Sequence, residues 1–246
     1  MPRTYRALDP ERVIETIGLL RHRIAERFPG AGLAEVCAEL LLLAGESSAR
    51  AEKIAGRNLP LRIAIFSLIA AGVGGLAWIA VLLLQSVSAA ADNLYSVLQG
   101  IEAAANLTVL IGATVFFLTR IEERLKRRSA LAALHELRSI VHVIDMHQLT
   151  KDPSTIIMVG GKTPSSPART LTRFELTRYL DYCSEMLSLA SKVAVVFAQE
   201  FPEPTVMEAV SDIERIAAGL SQKIWQKIII LEALGPEGET AGGSRQ

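Results

Sequence analysis

The chain has 246 residues, 50% of them hydrophobic, and its 26 basic and 26 acidic side chains give a formal net charge of zero. With no global basic excess, nucleic acid is not expected as a partner. Two cysteines are too few for a disulfide framework or a cysteine-built metal centre.

The opening MPRTYRALDPERV is charged, lacks an apolar core and has no small-residue cleavage site, so it does not read as a signal peptide and is expected to persist. Asp9-Pro10-Glu11 starts a helix: Asp caps, Pro fits the first turn and Glu complements the dipole. Val13, Ile17, Leu20, Ile24 and Phe28 then mark one apolar face, and Pro29 ends it. A second helix is predicted from about Gly32 to Arg57, apolar through Leu33, Val36, Cys37, Leu40 and Leu43 and charged after Arg50. Asn58-Leu59-Pro60 places a cap and a helix-start proline before the next segment, which should bend or break the helix there.

Ile63 to Ala91 and Ala103 to Thr119 contain no Asp, Glu, Lys or Arg. A bilayer core of roughly 30 Å takes about 20 apolar residues in a helix, so two spans are predicted, at about 61–85 and 101–119. In the first, Ser67, Ala71 and Gly75 recur every fourth residue and form a strip on which another helix can approach closely. That helix is either the second span of the same chain or a neighbouring subunit.

Arg50, Lys53, Arg57 and Arg62 precede the first span, and Arg120, Arg124, Lys126, Arg127 and Arg128 follow the second. Basic residues stay on the cytoplasmic side, which puts both termini inside and the connecting segment outside. The five residues after the second span would also lie among lipid headgroups, either as topology determinants or as a lipid contact. No Gly or Pro occurs from Ala113 to Asp152, so the second span should run on as a cytosolic helix to Leu149, about 55 Å at 1.5 Å per residue.

Lys151 to Leu171 reads as a loop with a β-like stretch, Thr155 to Val159. Its Gly160-Gly161-Lys162-Thr163 invites a phosphate-loop reading that fails, because Ile156 stands where the first glycine is needed and Pro164 where the helix should begin. Thr172-Arg-Phe-Glu175 is a capping box opening a helix with Leu176, Leu180, Cys183, Leu187, Ala190, Ala194 and Phe197 on one stripe and Met186, Leu189, Val193 and Val196 on a second. This helix is predicted to be central. Thr205-Val-Met-Glu208 reads as another box, before a helix stopped by Gly235-Pro236.

The fold expected is therefore an all-α membrane protein, a two-helix transmembrane hairpin with a cytosolic antiparallel helical bundle. Its parts are N-terminal cytosolic helices (1–58), the hairpin (59–119), a C-terminal helical region (120–235) and a disordered tail (236–246).

Three of the four histidines, His135, His142 and His147, lie on the helix that follows the second span. His135 and His142 share a stripe with Arg138, Ser139 and Asp145, opposite Leu137 and Ile144, while His147 falls about 140° from His142. Imidazole with carboxylate suits zinc, which makes His135, His142, Asp145 and His147 the candidate metal ligands, yet the i, i+4 pair of a zincin is missing. A solvated or internally hydrogen-bonded polar face is the competing reading, with Tyr179, Asp181, Tyr182 and Glu185 as the partners if the stripe is buried. No Ser-His-Asp set, nucleophile elbow or paired-carboxylate motif can be read, so neither an enzyme nor a cofactor is expected.

The segments HELRSIVHVIDMHQLTKDP (His135 to Pro153), SSPARTLTRFELTRYLDYCSEMLSLASK (Ser165 to Lys192) and GLSQKIWQKI (Gly219 to Ile228) resemble a family of uncharacterised bacterial two-span membrane proteins. The resemblance implies a bacterial inner-membrane location and no particular activity. In architecture the chain also resembles the two-span effector domains of bacterial nucleotide-signalling defence systems, an analogy of layout. The function expected is a membrane-anchored interaction or oligomerisation module, a homo-oligomer in the lipid bilayer with a possible cytosolic protein partner. An oligomeric pore, or a metal or ligand sensor using the His135/His142 stripe, are the alternatives.

Overall fold

The computed structural model describes residues 7–56, 59–89, 94–151 and 171–233, and among these the secondary structure is six helices and no strand. The expected loop after Lys151, with its β-like stretch, and the expected tail after Pro236 lie outside the described residues. Contacts divide the chain into two compact units, Met1–Glu52 with Ser129–Gln246 and Lys53–Arg128.

Helix α1 (Pro10–Arg27) starts where Asp9 accepts a hydrogen bond from the Glu11 N–H, with Pro10 in the first turn. Its buried residues Val13, Ile17, Leu20 and Ile24 are the i, i+4, i+7, i+11 positions of one stripe. Helix α2 (Gly32–Ala55) lies against α1, close enough for the Cys37 thiol to reach the Ile17 carbonyl at 3.8 Å. Three residues separate it from α3 (Leu59–Ala89), of which Arg57 and Asn58 are outside the described residues. Helix α4 (Leu94–Leu149) is a single helix of 56 residues, which the lack of Gly and Pro after Ala113 permits.

Helix α5 (Arg173–Glu200) carries the capping box expected at its start. The Thr172 hydroxyl accepts from the Glu175 N–H at 3.2 Å, and the Glu175 carboxylate accepts from the Thr172 N–H at 2.8 Å. That bonding holds the Glu175 carboxyl below its ordinary value. Both of its apolar stripes are buried, Leu176 through Phe197 along one and Met186, Leu189, Val193 and Val196 along the other. Each large side chain so removed from water contributes about 1.5–3 kcal/mol, which makes α5 the centre of the first unit. It packs on α6 (Pro204–Ala233) and on α1.

The start of α6 differs from expectation. Pro204 takes the first helical position and the Glu203 carboxylate accepts from the Val206 N–H at 3.1 Å, while the Thr205 hydroxyl donates to Glu203 instead of capping. Proline favours the first turn because its missing N–H has no acceptor there, so the helix opens ahead of Thr205.

Two of the helices are long and apolar enough to cross a membrane: α3 over Ile63–Leu82 and α4 from Leu98 onward. Their apolar side chains are exposed, Phe66, Trp78, Leu110 and Phe117 among them. Helix α3 meets α4 at Gly72, where an added Cβ would overlap Ile111, and at Gly75, where it would meet Leu107 in ordinary contact.

Candidate functional site

The residues singled out in the sequence fall in three places. The first is the polar end of α4. His135 and His142 are exposed and Asp145 is half-buried. The Arg138 guanidinium pairs with Asp212 of α6 at 3.0 Å, so the partner of this stripe is α6 and not the expected quartet on α5, whose Glu185 pairs with Arg23 and whose Asp181 pairs with Arg178. His147 lies off the stripe, as its angle requires. Its Nδ1 is 3.3 Å from the Tyr179 hydroxyl, and its ring packs on Gly32, so any side chain there would crowd the imidazole. Asp145 turns to the side-chain amide of Gln148, which donates to it at 2.6 Å. No group of three or more His, Cys, Asp or Glu side chains converges to hold a metal ion among the described residues.

What α4, α5 and α6 build here instead is a buried polar knot that the sequence did not announce. Gln148 is 1% exposed, and Lys227 of α6 donates to its side-chain oxygen at 2.7 Å and to its backbone carbonyl at 3.0 Å. An ammonium at the last turn of α4 answers the carbonyls a helix end leaves unpaired. Around it stand Tyr179, with Phe28 edge-on at 5.5 Å and Lys151 over its ring, and Cys183. Burial pushes the Tyr179 phenol up and the Cys183 thiol to about 12, and burial likewise raises the Cys37 thiol to about 11. Such thiols stay protonated and inert. A Gln or Lys on an amphipathic helix normally reads as solvated, so only the facing of α4 against α6 reveals the pair.

The second place is the apolar helix pair. Gly75 of the expected strip touches α4, but Ser67 and Ala71 are exposed, and so is Gly74. Gly72, tighter against α4 than Gly75, lies one residue off the strip. The third place is the basic segment after Thr119. Arg120, Arg124 and Arg128 are exposed, whereas Lys126 donates to the Gly56 carbonyl at 3.2 Å and pairs with Glu122 at 3.1 Å. Arg127 is half-buried. Three of the five basic residues thus face outward, and Lys126 ties α4 to Gly56, just past the end of α2.

A groove of about 480 Å³ runs between α5 and α6, lined by Ser188, Ser191, Lys192, Val195, Glu214 and Ala217 among others. Lys192 donates to the Ser188 hydroxyl at 2.7 Å, the pairing a serine–lysine acyl transferase uses. Burial is what turns a lysine into a base, and Lys192 is exposed. Comparison of the chain with models of known protein families, with curated proteins and with solved structures finds no match.

Proposed function

We propose that the protein is a membrane-anchored helical interaction module that self-associates within the bilayer, with α3 and the first part of α4 forming a two-span hairpin and the remaining helices a cytosolic bundle. Two pairings support the hairpin: Gly72 with Ile111 and Gly75 with Leu107 step in opposite directions along the chain, as antiparallel neighbours must. The basic residues before α3 and after the second apolar stretch support cytoplasmic termini in a bacterial inner membrane.

The observation that carries self-association is the division of small residues on α3. One side, at Gly72 and Gly75, is used within the chain, and the other, at Ser67, Ala71 and Gly74, stays exposed. Small side chains gain nothing by facing lipid, while in a bilayer they let a second backbone approach, where packing drives association. The buried polar knot gives the bundle a fixed arrangement rather than a reactive centre, consistent with a partner-binding or structural role.

Replacing Ala71 with Ile tests the reading. In membranes, the A71I variant should lose cross-linked oligomer while its single-chain stability is kept. Unchanged cross-linking, or a wild-type chain that is monomeric in lipid, would refute self-association through this face.

A further inference from the structure

Beyond the end of its uncharged stretch, α4 keeps a lipid-like character on one side. Phe117, Ile121 and Leu125 are exposed, Leu125 by 60%. At 100° per residue, Arg120, Arg124, Phe117, Arg128, Ile121 and Leu125 fall in that order within a sector of about 140°. Glu123, which pairs with Arg120 at 3.2 Å, lies about 60° outside the sector beyond Arg120, and Glu122 lies on the far side with Lys126. The sector therefore holds three guanidiniums and three apolar side chains, with no acidic residue among them.

The three arginines stand one turn apart, about 6 Å from each to the next, so each can meet a separate phosphate or two can share one. The apolar side chains beside them suit the boundary between headgroups and acyl chains, where arginine stems also bury well. A soluble anion would have no use for Leu125 and Ile121. We infer that this face of α4 docks anionic phospholipid, with Arg120, Arg124 and Arg128 holding the phosphate groups and Ile121 and Leu125 seated in the interface. The inference rests on the proposal that α3 and α4 span a bilayer. Lys126 has a different task, since its ammonium is engaged with Glu122 and the Gly56 carbonyl.

The test uses the full chain reconstituted in phosphatidylcholine vesicles containing a trace of spin-labelled phosphatidylglycerol or spin-labelled phosphatidylcholine, reading the motionally restricted fraction of each. A basic residue at an anionic surface is worth about 1 kcal/mol, so a single engaged arginine predicts about fivefold preference for the anionic lipid. R120Q/R124Q/R128Q should abolish the preference and R120K/R124K/R128K should retain it, both with wild-type helicity by circular dichroism; K126Q should leave it intact. Equal restriction of the two lipids by wild type, or an undiminished preference in the glutamine variant, would overturn the inference. So would loss of the preference on adding inorganic phosphate when the same ionic strength of sodium chloride leaves it intact, which would identify a free anion as the ligand. Alkaline carbonate washing separates the two proposals: a chain stripped from the vesicles refutes the membrane span and this surface with it, whereas a retained chain without lipid preference refutes only the surface.

Discussion

Lys227 of α6 reaches Gln148 of α4 twice, once at its side chain and once at its backbone carbonyl, and so closes the last turn of α4 against α6. Taking away the ammonium leaves a buried amide oxygen without its donor, which costs about 1–3 kcal/mol. Lys227→Met should lower the urea midpoint accordingly, and Gln148→Met in the same background should recover part of the loss because it removes the orphaned side-chain oxygen and leaves only the backbone carbonyl without the ammonium. Additive losses in the double variant would show that the two residues do not act as a pair.

The buried thiols predict alkaline sensitivity. Cys183 and Cys37 ionise near 9.0 when unfolded, but burial raises them to about 12 and about 11 in the fold. The unfolded chain therefore releases these protons first, so the stability present below about pH 9 is lost as pH rises toward the folded values. Unfolding midpoints measured from about pH 8 to pH 10.5 should fall, and Cys183→Ala should flatten that fall even though it lowers the starting stability. A Cys183→Ala profile parallel to wild type would contradict the thiol's part in it.

Gly72 and Ala71 are neighbours on α3 with opposite expected behaviour. A Cβ at Gly72 overlaps Ile111, so Gly72→Val should cost about 1–3 kcal/mol of single-chain thermal stability, with the purified chain read in detergent. Ala71 is exposed, and its enlargement should change that stability by less than about 0.5 kcal/mol. The reverse order would mean that α3 turns its other side to α4.

Those two residues also show where sequence reading ends. Helix boundaries were legible at Asp9-Pro10 and at Thr172-Arg-Phe-Glu175, because caps are local chemistry, and the buried stripe of α5 followed directly from its spacing. The side of α3 that meets α4 was not legible. A helix that is apolar all round carries no periodic signal, and the strip that spacing picked out proved divided: Gly75 meets α4, Ser67 and Ala71 are exposed, and Gly72, outside the strip, meets α4 more tightly than Gly75 does. Likewise, five basic residues clustered within nine positions gave no hint that Lys126 bonds inward to Gly56 while Arg120, Arg124 and Arg128 face out. His147 was set apart from His135 and His142 by angle, and Tyr179, one of the four partners expected for the stripe, meets His147 and not the two exposed histidines, a pairing that only the facing of the two helices reveals. At α6 the local chemistry itself was ambiguous, and proline at the first position decided it against Thr205.

The central claim is a two-span hairpin with both flanking regions on the cytoplasmic side, and impermeant maleimide labelling of intact cells tests it most directly. Cys37 and Cys183 are fully buried and stay silent on either side of a membrane, so sidedness needs an exposed reporter, which His142 provides. A cysteine at Ser96, between the two apolar stretches, should label in intact cells, and one at His142 only after permeabilisation. Labelling of the His142→Cys chain in intact cells, or silence of the Ser96→Cys chain until the membrane is opened, would contradict the hairpin and its orientation.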